Sequence, residues 1–392
     1  MTLSTPEPIR KLRQRPQGTS LCNWRLRPHS SWSFQNVREL IPTVNVSAKK
    51  WLLTNPPSEY LPPTPITESG NDLIKWLEAS ESDSMVILKD GKKQWQWEAP
   101  HCDITKPHII FSISKSITAI LTGILADQKI LNPEDTVYKY LPDTKGTAYE
   151  DCSIQHLLDM SVALDFTEDY MNPDGDYFRY RNATGWNPVD QTEEKQDLES
   201  FLYGLGKANF HHGEIFNYKS PNSDLLGLLI ERASGIPYAE LLSQLIWQPM
   251  GATSDGYVTV DSVGLSRGAG GVCVVANDLA LIGQLILDNG FKGTQSIIPE
   301  SWIADTMSQG NQSAWLKGGF IELLPKGNYR NQWYQVGDDH QCLVGLGIHG
   351  QWLLINPATS VVIVMLSSRT EPLNDQADVF TLKTLLELSS AF

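Results

Sequence analysis

The sequence predicts an α/β (α+β) fold, an antiparallel sheet built from strands at both ends of the chain and flanked by helices, with a mostly helical subdomain inserted between them. Three observations predict it. Short runs rich in β-branched and aromatic residues occur at 85–97 and recur after 318. Between those two regions the apolar residues fall at helical spacing. A last helical pattern over 373–390 closes the chain.

Residues 1–47 are rich in Pro, Arg and Ser and are expected to lie along the surface as an extended arm. The domain proper is then 48–392, its α/β part at about 70–130 and 290–392 and its helical subdomain at about 131–289. Residues 71–79 read as a short amphipathic helix. Met85 to Leu88 and Gln94 to Trp97 flank Asp90-Gly91, a hairpin turn signal. A long apolar helix runs from 113 to about 128, and Ser153 is placed to cap a helix over 154–160. Residues 166–191 are polar and aromatic without a period, which reads as a long loop and a candidate lid over a substrate. Helical patterns follow at 192–202, 224–233 (closed by Gly235), 238–247, 277–288 and 299–307. Strands are expected at 319–324, 331–336, 342–347, 351–355 and 360–367.

Composition narrows the function. With 392 residues and 41% apolar content the chain can bury a large core. A net charge of −14 argues against nucleic acid and anionic membrane as partners. No run of about 18 apolar residues suggests a membrane span. No apolar stretch follows the basic residues Arg10 to Arg15, so no secretory leader is expected. Five scattered cysteines fit reduced thiols, and hence a cytoplasmic protein; they and the histidines show no zinc-ligand spacing.

Chemistry concentrates at Ser112-Ile113-Ser114-Lys115. Ser112 falls at the start of the apolar helix, where backbone N–H groups lack intrahelical partners and the dipole is positive. Lys115 lies three residues on, on the same face. Burial would depress its pKa and let it take the Ser112 proton, making the pair a nucleophile and its base. Ser47-Ala48-Lys49-Lys50 has the same spacing but no sustained helix after it. A second candidate is Tyr218-Lys219-Ser220, opening the next helix, where a phenol beside a cation can serve as base or proton shuttle. Gly345-Leu346-Gly347-Ile348-His349-Gly350 matches a dinucleotide fingerprint, but a strand follows where a helix is required. Gly264-Leu265-Ser266-Arg267-Gly268 matches a nucleophile elbow without the strand-to-helix context.

Ser112-x-x-Lys115, Tyr218-Lys219-Ser220 and Gly345-Leu346-Gly347 stand in the order found in serine β-lactamases and penicillin-binding proteins. The chain resembles that family, in particular its class C branch with its esterases, and within it the 6-aminohexanoate-dimer hydrolases. Leu157 to Met160, Asp165 to Tyr170, Gly185-Trp186, Tyr218 to Leu226, Gly270 to Val272, Asn277 to Ala280 and Gly345 to Gln351 carry the likeness from about residue 30 to the C-terminus. The resemblance implies a β-lactamase/transpeptidase-like fold and a serine hydrolase acting through an acyl-enzyme. Ser112 would be the nucleophile, Lys115 its base and Tyr218 the proton relay. The N–H groups of Ser112 and Ile348 would form the oxyanion hole. Tyr170, Arg181, Trp186, Ala269, Trp333, Tyr334 and Gly347 would contact the substrate. Gly345 stands where β-lactamases place a cation, and Ser220 where they place Asn. Arg181 stands where the dimer hydrolases carry an acidic residue and Ala269 where some relatives carry Asn, so Arg181 would oppose a substrate ammonium. These departures favour small carboxylic esters, then amides, over β-lactams. No metal or cofactor is implied, the partner is a small ester or amide, and a homodimer is the candidate assembly. A β-lactamase or D,D-peptidase, and a catalytically silent binding protein, are the competing readings.

Overall fold

The computed structural model describes residues 13–48, 70–188 and 196–392. Strand Ser82–Lys89 shows how its sheet is built. Met85 and Ile87 point into one apolar cluster, Val86 and Leu88 into another. Strands Gln351–Asn356 and Val361–Ser367 divide in the same way, Leu354 and Ile363 on one side, Leu353 and Val362 on the other. A sheet covered on both faces has strands that read as continuous apolar runs. Seven strands pair antiparallel in the order Asn328–Arg330, Trp333–Gln335, Leu343–Gly347, Gln351–Asn356, Val361–Ser367, Ser82–Lys89, Lys92–Glu98. N-terminal and C-terminal strands therefore meet at the pair Val361–Ser367 with Ser82–Lys89.

Helices cover both faces. Gly70–Ala79 and Asp375–Ala391 supply Leu77, Leu382, Leu385 and Leu388 to one cluster. Ile113–Asp127, Ser220–Ser234 and Ala276–Leu287 pack into the other. Residues 113–125 of the first of these are all buried, so this helix forms inside the core. Ser153 caps Ile154–Leu158: its hydroxyl accepts from the His156 N–H, and the His156 ring accepts from the Ser153 N–H. Gly235 ends Ser220–Ser234 in the left-handed conformation at φ 71°. Among the described residues no helix is long and apolar enough to cross a membrane.

The structure departs from the sequence reading in several places. Residues 319–324 form turns, not a strand, and direct Phe320 against Tyr218 and Tyr334. The expected strand over 331–336 is a hairpin corner: Asn331 and Gln332 have φ of 50° and 59°, the geometry of a primed turn between Asn328–Arg330 and Trp333–Gln335. Within 166–191, Asp176–Ala183 is helical. Its buried residues Tyr177, Tyr180 and Arg181 sit at i, i+3 and i+4, a stripe hidden by its polar composition. The helix expected over 192–202 begins at Leu198 and runs to Tyr203; residues 189–195 lie outside the described residues.

The expected arm is packed structure from residue 13 onward; residues 1–12 lie outside the described residues. Thr43–Val46 joins a second sheet, beside Gly256–Thr259, then Val272–Val274 and His108–Ile109. Trp24, Phe34, Val37 and Ile41 are buried against Ile109, Phe111, Trp186, Tyr257 and Ile348. The reason is apolar area: the segment's aromatic side chains are removed from water more completely in that cluster than along a surface. Trp24→Ala should accordingly destabilise the protein by about 3–5 kcal/mol, read as a shift of the urea midpoint. A loss no greater than about 0.5 kcal/mol, the range for surface substitutions, would restore the arm.

Candidate active site

The segment entering the core helix fixes Ser112. His108–Ile109 is paired in the second sheet, and the Ile110 N–H donates to the Val272 carbonyl. Phe111 then turns the chain with φ at 42°, a conformation a bulky side chain adopts only when packing over-determines it. Phe34, Trp186 and His349 surround its ring at 5.1, 5.9 and 5.3 Å. Ser112 follows at the N-cap of Ile113–Asp127, its side chain uncommitted to capping.

Lys115, one turn on, is 1% exposed. Its Nζ lies 2.9 Å from Ser112 Oγ and donates to the Ala269 carbonyl at 2.7 Å. Burial pushes its pKa down to about 8, with Glu168 and Asp224 pulling up and Arg267 pushing down. To take the Ser112 proton, as expected of it from the sequence, Lys115 must be neutral. A value near 8 leaves only about one tenth of it neutral at pH 7.

Tyr218 lies on the other side, its ring centroid 5.0 Å from Lys115 Nζ. Burial pushes its pKa well above the ordinary phenol value, and Glu168 pushes it further; contact with the Ser112 hydroxyl opposes this more weakly. Both effects hold the Tyr218 phenol toward its protonated form.

Ser112, Tyr170, Tyr218, Tyr334, Gly347 and Ile348 line one cleft, with Phe320, Leu323 and Leu346 as its apolar wall. A Cβ on Gly347 would come within 2.7 Å of the Ile110 carbonyl oxygen, so only glycine lets this strand end lie against the approach to Ser112. Among the described residues, neither the Ser112 nor the Ile348 N–H is used in a turn, loop or cap hydrogen bond. Together they could hold an oxyanion. Tyr170 donates to Glu168 at 2.8 Å, and Glu168 also accepts from the N–H and hydroxyl of Ser220.

Four expected substrate contacts do not line this cleft. Arg181 is 8% exposed, over the rings of Tyr177 and Phe178, because helix Asp176–Ala183 turns it inward. Trp186 is buried, its ring 3.6 Å from the Arg267 guanidinium. Trp333 is buried in the main core, on the sheet face opposite Tyr334. Ala269 is buried and acts through its backbone, its carbonyl on Lys115 and its N–H on Asp224. Sequence reading missed Glu168, which stands inside a quoted phrase with no role given to it. It also missed the buried pair Asp224 and Arg267, whose charges are 43 positions apart and carry no local pattern. Of the other Ser-x-x-Lys match, Lys49 and Lys50 lie outside the described residues, and Ser266 is buried at the bridge between Val260 and Ser266.

Among the described residues, Asp338, His340 and Cys342 bring possible metal donors within 4.8 Å of one another. They do not line the Ser112 cleft. Burial, and then Asp338, push the Cys342 thiol up, which favours the protonated thiol over a ligating thiolate. No step is assigned to a metal there.

Known proteins resemble this chain in sequence and in fold. Residues 72–387 match the Beta-lactamase family. A 6-aminohexanoate-dimer hydrolase from Paenarthrobacter ureafaciens is 31% identical over 353 residues, 90% of this chain and 89% of the relative. A structure from Bacillus anthracis, provisionally named as a 6-aminohexanoate-dimer hydrolase, superposes with a TM-score of 0.84 at 22% identity, covering 96% of this chain and 98% of that one. EstCE1, a hydrolase with promiscuous acyltransferase activity, superposes with a TM-score of 0.59 at 15% identity, covering 83% and 99%. The family match takes in both halves of the large sheet and the helices between them, and a relative aligns over nine tenths of the chain: the protein belongs to the Beta-lactamase family and is a hydrolase of that fold.

Proposed function

We propose that the protein is a serine hydrolase that cleaves small carboxylic esters, and linear amides as a second class, through an acyl-enzyme on Ser112. The observation that carries this reading is the 2.9 Å contact between Lys115 Nζ and Ser112 Oγ at a helix start that opens into a cleft. Neutral Lys115 takes the hydroxyl proton as Ser112 Oγ bonds to the substrate carbonyl carbon. The N–H groups of Ser112 and Ile348 hold the oxyanion that forms. Tyr218 gives its proton to the leaving oxygen or nitrogen and regains one from Lys115. Water then attacks the acyl group, its proton following the same path back, and Ser112 is released. The apolar wall of Phe320, Leu323 and Leu346 suits a short acyl chain. The amide class comes from the name of the Paenarthrobacter relative, a 6-aminohexanoate-dimer hydrolase.

The pH profile tests Lys115. Burial holds its pKa below that of an ordinary lysine, so kcat/KM should rise with pH through a midpoint near 8 and fall below it as Lys115 protonates. Lys115→Arg should be nearly inactive at every pH, because guanidinium does not lose its proton. An active Arg variant would remove Lys115 from the role of base.

The substrate reading is tested with p-nitrophenyl acetate, p-nitrophenyl butyrate, nitrocefin and the 6-aminohexanoate linear dimer side by side. Among the described residues lining the cleft, none is a cation to meet the β-lactam carboxylate. A charge-assisted hydrogen bond of that kind is worth about 1.5–3 kcal/mol, so nitrocefin should trail the esters by at least about tenfold in kcat/KM. Ser112→Ala should lower ester turnover by roughly 10³-fold or more with its circular dichroism unchanged. Nitrocefin turnover equal to that of the esters would shift the assignment to β-lactams.

A further inference from the structure

We propose that Asp224 is a positioning residue for Lys115, acting through the backbone of Ala269; the proposal rests on the reading of Lys115 as the base. Asp224 sits in the first turns of helix Ser220–Ser234 and is 0% exposed. One carboxylate oxygen accepts the Ala269 N–H at 2.7 Å. The carbonyl of that same residue accepts Lys115 Nζ at 2.7 Å. Holding the N–H therefore holds the carbonyl, and with it the ammonium beside Ser112. The other carboxylate oxygen accepts the Tyr180 hydroxyl and lies 3.8 Å from Arg267 Nε. Arg267 is in turn fixed by Thr184 at 3.1 Å and by the face of Trp186.

A buried ion pair is a poor device for stability alone, since well-packed apolar residues often serve as well or better. Here the pair also sets the field at the base. The groups acting on Lys115 are Ser112 and Tyr218 on the cleft side, and Glu168, Asp224 and Arg267 around it. Asp224 favours the protonated lysine and Arg267 disfavours it, so loss of the Asp224 charge should make Lys115 easier to deprotonate.

The test is the pH dependence of kcat and kcat/KM for p-nitrophenyl acetate in wild type, Asp224→Asn, Asp224→Ala and Ser112→Ala. Asp224→Asn keeps an acceptor for Ala269 and removes the charge, so its acid limb should move to lower pH by at least about half a unit. Asp224→Ala removes the acceptor as well, and should lower plateau kcat by about tenfold or more with KM little changed. An acid limb that stays in place in Asp224→Asn, or a plateau kcat per folded enzyme that stays in place in Asp224→Ala, overturns the proposal. Should neither Asp224 variant fold, Tyr180→Phe carries the test, because it removes one hydrogen bond from the carboxylate at constant shape. A fall in its kcat of about threefold or more supports the proposal, and wild-type kcat overturns it. Ser112→Ala separates the two readings. If it stays active the serine mechanism itself fails, whereas if it is inactive and the Asp224 results are negative, only the positioning role fails.

Discussion

A lysine ammonium buried in the protein, held between a serine hydroxyl and a main-chain carbonyl, is the constraint on which the rest of the site depends. Burial alone would drive Lys115 far toward the neutral amine, and the two carboxylates around it pull the other way. In the proposed mechanism, a balance near 8 suits a group that takes a proton and gives one back within a turnover. Three pieces of chain meet to make that balance: the core helix Ile113–Asp127, the turn carrying Ala269, and the start of helix Ser220–Ser234. None is near another in sequence, so the environment of Lys115 exists only in the folded protein.

The same interdependence reaches the N-terminal segment. Phe111 must hold a positive φ to aim Ser112, and such a conformation costs on the order of 1–3 kcal/mol. Trp24 and Phe34 pack beside its ring, with Trp186 and His349 from elsewhere in the chain. Ile348, which lines the cleft, belongs to that cluster too. A segment that contributes none of the described side chains lining the cleft thus packs against both Phe111, which precedes Ser112, and Ile348.

What could be read in the sequence was local chemistry with a period. Ser112 and Lys115 share a helix turn, Tyr218 opens a helix, and the glycines at 345 and 347 lie in a strand; each is visible within a few residues. The strands buried on both faces, such as 361–367, announced themselves as apolar runs. The second sheet did not, because its strands are two to four residues long and Thr43–Val46 pairs with a strand more than two hundred positions away. Arg181, Trp186, Ala269 and Trp333 were placed by resemblance, which fixes position in the fold but not the direction of a side chain. The Asp224–Arg267 pair needed three dimensions, since a charged residue on an otherwise apolar helix reads first as a solvated one.

The central claim is that Ser112, and no other nucleophile, carries the acyl group. The most direct measurement is intact-mass and peptide-mapping mass spectrometry after reaction with a p-nitrophenyl phosphonate. The account predicts one adduct per chain, on Ser112, forming faster above pH 8 than at pH 6 and absent from Lys115→Arg. An adduct on Ser266, or labelling of Ser112 that persists unchanged in Lys115→Arg, would contradict it.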